Sequence, residues 1–549
     1  MKVNQQIVRI VRILLLHCLL LQLAVACTNR DRNQEATQQD ADEIIKKRTF
    51  TPAEIKEGET LSRQYCRACH LYTPPEVIPR RIWQDDVLPR MGAFYGFYEK
   101  QSRAELVETG PARTIVLNRN VYPFEPVIDT LAWEKIKAYY LESAPDELAV
   151  EDQGANLEVK KIFQLSEPKG NRIVPPMATM IKVSEANQLI YHSDVKKDVS
   201  TLNIYDREGN IIQAIGMRSP AARLREKDGA LWVLAMGSFT SSDAPKGNLV
   251  KITKKGGSAL YNSVEIMIDS LQRPVDLAYA DFDQDGDEDV VIAEYGNWAG
   301  QLRWFRNQGN DQYENNMLLP ITGPTRVMVD DLNQDGWMDI LAMIAQGDES
   351  VYALINQQNG TFLPQKIIQV PPSYGSVYFD YLDLDGDGVK DILHVAGDNA
   401  DYEAIPKPYH GIRIFKGLPD LQFEETWFFP QNGAYKTIPA DFDGDGDLDL
   451  ASISFFPDFS GSGKESLIML ENVSNGTKLK YNAFAIDGYD TSRWIVMDSG
   501  DLNGDGKPDL VAGSFVVQDP YGAQEGLKQE WMQNSPMFLI MENIWQNSD

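Results

Sequence analysis

Cysteine is scarce in this chain of 549 residues, which has four: Cys18, Cys27, Cys66 and Cys69. The first two lie in or at the end of an N-terminal apolar segment, so the body of the chain keeps only Cys66 and Cys69. A multi-bridge disulfide framework is excluded. Positive charge is also short, with Lys+Arg 52 against Asp+Glu 80 and a formal net charge of -28. Nucleic acid needs a basic surface to meet its phosphates, so it is not expected as a partner. The longest mostly apolar run, Ile13 to Ala26, has 14 residues, too short for a membrane span. Of the five histidines, only His192, His394 and His410 lie in the long C-terminal part, too few for a multi-copper cluster. His394 reads as core and His410, in KPYHG, as an exposed loop residue.

The N-terminus has the pattern of an export signal. Lys2, Arg9 and Arg12 precede the apolar run, which closes on Leu-Ala-Val-Ala-Cys with Cys27 last. Residues 1–26 are therefore expected to be removed. Small residues before a cysteine resemble the bacterial lipobox, which implies cleavage just before Cys27 and lipidation of its sulfur. A plain signal peptide with a coincidental Cys27 is the rival reading. Residues 27–50 are polar and read as a tether. The expectation is an exported, membrane-anchored lipoprotein at the outer membrane, periplasmic face or cell surface.

Residues 51–146 carry helical periodicity, with one helix from Glu54 to Arg67 and a second over Leu131–Leu141, ended by Ala144-Pro145. Between them lies Cys66-Arg67-Ala68-Cys69-His70, the C-x-x-C-H pattern of covalent c-type haem attachment. Two thiols three residues apart can each add to a haem vinyl group, and the adjacent histidine can then ligate the iron. A Cys66–Cys69 disulfide with an incidental His70 is the alternative. Met91 is the only methionine between Pro52 and Ser143 and is the expected sixth ligand, with a lysine or an open position as the other options. Trp83 is placed against the haem or in the core.

After a linker at 147–158, residues 159–549 read as all-β. A nine-residue unit, D-x-[DN]-x-D-G-x-x-D followed by an apolar run, recurs at Asp281, Asp331, Asp383, Asp441 and Asp501. Degenerate copies at 180–192 and 226–236 bring the count to seven, so the fold class is a small all-α cytochrome c domain followed by a seven-bladed all-β propeller. Alternate oxygens on a sharp turn can converge on a hard cation. Expected calcium ligands are Asp281, Asp283, Asp285 and Asp289, with Asp287 at the backbone-carbonyl position. The second loop supplies Asp331, Asn333, Asp335 and Asp339, and the third Asp383, Asp385, Asp387 and Asp391. The last two supply Asp441, Asp443, Asp445 and Asp449, then Asp501, Asn503, Asp505 and Asp509. Four carboxylates so close must protonate or bind a cation, so about five Ca²⁺ are expected, in a structural role.

The loops resemble FG-GAP (VCBS-type) calcium loops, as in the integrin propeller. The segments CHLYTPPEVIPRRIWQDDVLPRMG and VYPFEPVIDTLAWEKIKAYYLESAPDEL resemble the haem domain of bacterial lipoproteins, notably of Bacteroidetes, that couple it to FG-GAP repeats. The resemblance spans nearly the whole mature chain and implies this architecture without a substrate. Three functions are compatible with it. The first is electron transfer to a redox partner protein, with a propeller that binds a protein or glycan. The second is an oxidoreductase whose propeller holds a substrate site feeding the haem. The third is an adhesin with the haem as redox sensor. No tryptophan-docking repeat, Ser-His-Asp set or Gly-rich phosphate loop stands out.

Overall fold

Thr51 and Pro52 set the start of the helical region. Thr51 Oγ1 accepts the Glu54 N–H, Glu54 accepts the Thr51 N–H at 3.0 Å, and Pro52 sits in the first turn, where no backbone bond is lost. In the computed structural model, which describes residues 48–546 apart from 152, 153, 155, 171–173, 197–199, 311, 401 and 477, this helix, α1, spans Pro52–Tyr65. It stops short of the predicted Arg67. Cys66 donates its N–H to Ser62 O at 2.8 Å, Ala68 turns back to Tyr65 O, and Pro74-Pro75 bars further helix. The cysteine motif therefore lies on the turn after α1.

The segments Arg80–Ile82, Trp83–Val87 and Leu88–Phe94 run together as α2. Its middle is a π turn, with the Leu88 N–H reaching back to Trp83 O. Pro89 has no N–H to offer the preceding turn, which accounts for the widening. After α3 (Pro111–Asn118), Asp129 caps α4 (Thr130–Ser143) by accepting the Ala132 N–H at 3.0 Å. Trp133, Ile136 and Tyr140 of α4 pack with Ile82, Trp83, Leu88 and Phe97. Trp83 is thus core, its indole N–H held by Pro75 O at 2.8 Å. A Cβ on Gly58 would stand 2.1 Å from Lys135 O, so α1 and α4 meet at a spacing only glycine permits.

Seven antiparallel sheets follow, arranged as propeller blades. Their first strands, innermost, are Ala178–Ser184, Ala221–Lys227, Pro274–Ala280, Pro324–Asp330, Ser376–Leu382, Ala434–Ala440 and Trp494–Gly500. The second strands of blades two to seven are buried at every position, covered on both faces by neighbouring blades. That is why the run after each acidic loop is continuously apolar rather than alternating. The ring closes with an earlier piece of chain: Phe163–Ser166 pairs antiparallel with Phe538–Asn543 as the outer strand of blade seven. Val159–Lys160 adds a parallel fifth strand to blade six.

Phe163 is buried against Phe442 and the core shared by blades six and seven. Phe163→Ala is expected to cost about 3–5 kcal/mol, measured by urea unfolding, because it opens a cavity and loosens the closure together.

Acidic loops join first to second strands and so occupy one face of the ring. Loops between second and third strands occupy the other, and the helices dock there. Trp298 packs against Phe94 and Tyr122, Glu108 accepts from Ser242 Oγ (2.8 Å) and Asp243 N (2.9 Å), and Tyr409 Oη donates to Val77 O (2.8 Å). Ile405 enters the helical core itself. Among the described residues, no helix is long and apolar enough to cross a membrane.

Candidate functional site

Each acidic loop is built by the same backbone bonds. The first aspartate accepts the glycine N–H at position six: Gly286 to Asp281 at 3.0 Å, Gly336 to Asp331 at 2.9 Å, Gly388 to Asp383 at 2.9 Å, Gly446 to Asp441 at 3.1 Å and Gly506 to Asp501 at 2.8 Å. Those five glycines have φ between 86° and 99°, in the left-handed region. The aspartate at position five (Asp285, Asp335, Asp387, Asp445, Asp505) accepts the N–H of residue seven.

Position nine works differently from the others. Asp289, Asp339, Asp391, Asp449 and Asp509 are buried, and each accepts two backbone N–H groups. One comes from the second residue of its own loop and one from the end of the third strand, as from Asn472 to Asp449 at 2.8 Å. Four of the third-strand partners are asparagines: Asn307, Asn356, Asn472 and Asn543. The Nδ2 of Asn356 and of Asn543 also donates to a loop carbonyl one blade back, Phe282 O and Phe442 O, each at 2.8 Å. Sequence reasoning missed these asparagines; an Asn ending the second apolar run after four of the five loops was the available signal.

Three groups of carboxylates bring ligand oxygens within 4.8 Å of one another: Asp281, Asp283 and Asp285; Asp383, Asp385 and Asp391; Asp441, Asp443 and Asp449. Each could hold a metal ion. In the second and fifth loops Asn333 and Asn503 take position three, and each amide donates to the position-five carboxylate, Asp335 or Asp505. Two loops carry a side-chain cation of their own. Arg306 pairs with Asp283 and, at 3.4 Å, with Asp285; Lys416 pairs with Asp385 and, at 2.7 Å, with Asp387. Among the described residues, no side-chain cation pairs with the fourth loop. There burial, followed by neighbouring carboxylates, pushes Asp449 up to about 7 and Asp447 up to about 6. Asp447 Oδ1 is buried without a hydrogen-bond partner. Crowded, desolvated carboxylates with open oxygens are the donor set of a hard cation, so the residues fit Ca²⁺.

At the other end of the chain, Cys66 and Cys69 are free thiols, Cys66 half-buried and Cys69 exposed. Burial pushes the Cys66 thiol up to about 11. His70 Nδ1 lies 2.7 Å from Leu71 O, a bond that fixes Nδ1 as the donor and leaves Nε2 with its lone pair. Cys66 and Met91 flank one apolar cluster with Tyr65, Tyr95 and Trp133. Thr73 Oγ1 and Trp133 Nε1 are buried without partners in this region. Two unbridged thiols, a histidine with one free nitrogen, a nearby thioether and orphaned buried polar atoms fit a covalently held haem. Cys27 lies outside the described residues.

All three propeller histidines are buried, which corrects the reading of His410 as exposed. Its Nδ1 accepts the Gly433 N–H at 3.4 Å, because the loop carrying it folds beneath the helices. His394 Nε2 pairs with Ser376 Oγ at 2.9 Å.

Segments 281–342, 331–394 and 441–512 match a family described as FG-GAP-like repeat, and between them they contain all five acidic loops. No curated protein matches the chain. Solved structures similar to it include BBS1N in complex with ARL6DN (10% identity, 70% of this chain and 97% of that one, TM-score 0.41). Others are the major allergen Mala s 1 of Malassezia sympodialis (9%, 67% and 94%, TM-score 0.35) and a protein from Lactobacillus plantarum (12%, 56% and 85%, TM-score 0.37). The chain is thus a mostly helical N-terminal region followed by a seven-bladed β-propeller that carries FG-GAP-like repeats at 281–342, 331–394 and 441–512.

Proposed function

We propose that this protein is an exported haem c lipoprotein that transfers electrons, and that its calcium-loaded propeller binds a partner protein or a glycan. The observation that carries the reading is the set of free Cys66 and Cys69 beside a His70 whose Nδ1 is committed to Leu71 O. Cys66 and Cys69 would hold the haem through thioether bonds, and His70 Nε2 and the Met91 thioether would ligate its iron. When bound, such a haem supplies a one-electron couple, raised in potential by a thioether ligand. The chain's own part is to hold the group rigidly. The α1–α4 contact at Gly58 and the docking of the helices on the propeller both serve that end. Exposure of Cys69 leaves one edge of the site open to a redox partner.

The five acidic loops would hold Ca²⁺ as structural clamps on the face opposite the helices, leaving that face free for a ligand. Lipidation at Cys27 would anchor the protein to a membrane through the 27–50 tether.

The test is the absorption spectrum of protein made in a host that matures cytochromes c. A c-type pyridine haemochrome is expected, with a weak near-infrared sulfur-to-iron band that Met91→Ala abolishes. Protein without covalent haem from such a host would refute the reading.

A further inference from the structure

Every innermost strand slips register at the same place. The shift falls between its first and third residues: Ala178/Met180, Ala221/Arg223, Pro274/Asp276, Pro324/Arg326, Ser376/Tyr378, Ala434/Lys436 and Trp494/Val496. Such irregularities re-aim the side chain that follows, and these third residues belong to the strands that surround the propeller axis. A cavity of about 110 Å³ lies there, lined by four of them, Arg223, Tyr378, Lys436 and Val496, with Met180 as a fifth and Thr179 and Tyr435 beside them. Among the described residues, no carboxylate lines it.

Charge on the axis is paired unevenly. Arg223 Nε bonds Asp276 at 2.5 Å, Arg326 lies 3.6 Å from Asp380, and Lys182 bonds Asp498 at 3.0 Å. Asp276, Asp380 and Asp498 also accept backbone N–H groups, from Val327, Tyr381 and Val183. Lys436 is left over. Its Nζ donates to Met497 O at 2.5 Å, and its ion pairs among the described residues are none. The Arg326 guanidinium lies over the Tyr378 ring at 4.1 Å, and its Nε is buried without a partner. The axis therefore carries an uncompensated cation in a chain of net charge -28.

We propose that the axial cavity binds a small oxyanion, held by Lys436 and Arg223 with the Tyr378 region as its wall. Size sets the class: a cavity of about 150 Å³ accepts benzene, with six non-hydrogen atoms, so this smaller one takes an anion of about four or five, an inorganic oxyanion or a short carboxylate. Phe239, Phe455 and Phe515 form an aromatic plug with Tyr435 and Ile495 on the side of the helices. Entry is thus from the acidic-loop end, past Lys182 and Asp498. The site stands independently of the haem reading, and would give the oxidoreductase alternative a substrate class.

Isothermal titration of the full calcium-loaded chain with sodium sulfate and with sodium acetate, at constant ionic strength, tests it. Saturable one-to-one binding is expected for at least one, and which one binds assigns the inorganic or the carboxylate class. Lys436→Met should weaken it at least about tenfold, Lys436→Arg should retain it, and Lys161→Met on the surface should change nothing. Val496→Phe, which fills the space without altering charge, should also abolish binding and serves if Lys436→Met does not fold. The proposal fails if neither salt binds below about 50 mM, or if a folded Lys436→Met or Val496→Phe binds as the parent does.

Discussion

Chelating calcium is expected to destabilise the propeller strongly at neutral pH, and the sign of its pH dependence should invert. A site filled at about a hundred times its dissociation constant contributes about 2.7 kcal/mol, so emptying five sites removes on the order of 10 kcal/mol. Thermal unfolding with and without EGTA measures this. The sign follows from Asp449, which burial and the Asp443 carboxylate raise from 3.8 to about 7 in the metal-free chain. A carboxyl with a raised folded pKa contributes stability that is fully present below its unfolded pKa and lost as pH rises through the folded one. Asp289 and Asp509, raised to about 6, act in the same direction. The metal-free protein should therefore gain stability as pH falls from 7 towards 4, whereas the calcium-loaded protein should lose it as protons compete for the ligands. In the fourth loop, Asp447→Asn should stabilise the metal-free form at neutral pH, since burial and then Asp445 raise this carboxyl to about 6. The same change should weaken calcium binding only modestly, because it removes one neighbouring negative charge and leaves Asp441, Asp443 and Asp449 in place. A metal-free protein as stable as the loaded one at neutral pH would sink the calcium assignment.

How much of this was legible in the sequence depended on whether the physics is local. The acidic loops are local: carboxylates at alternate positions and a glycine at φ near 90° fit within nine residues, so their letters recur visibly. The second strands were legible as well, because burial on both faces demands unbroken apolar runs. Position four was less so. It is also left-handed, held by glycine in three loops and by Gln284 and Gln334 in the others, and a glutamine there gives no sign of it. Closure was invisible, since Phe163–Ser166 is four residues whose partner lies more than 370 positions away. Docking was invisible too: Trp298, Glu108 and Ile405 look like ordinary loop and surface residues until the helices cover them. The same covering buries His410. The axial ring was hidden for a further reason. It is written in seven strands at one residue each, and a register shift, rather than a motif, gathers them.

Replacing Cys66 and Cys69 together by serine is expected to remove covalent haem entirely, while the Met91→Ala protein keeps it. A Cys-x-x-Cys pair has one other common use, thiol–disulfide exchange. Redox-active pairs lower the pKa of the attacking thiol so that thiolate is present at neutral pH. Here burial does the opposite, pushing Cys66 up to about 11, so it stays a protonated thiol that packs beside Tyr65, Tyr95 and Met91. That environment is poor for thiol–disulfide exchange and good for a thiol destined for a covalent bond inside an apolar pocket. His70→Ala separates the roles further. Both thiols remain, so haem can still be attached, but the imidazole that Leu71 O orients is gone. Its spectrum should lose the low-spin His–Met signature, and its potential should move, with the mass of the chain still raised by one haem. If the double serine variant retained haem at the parent's stoichiometry, Cys66 and Cys69 would not be the attachment points. If the parent carried none but formed a Cys66–Cys69 bridge, the helical region would be a structural cap on a calcium-binding propeller.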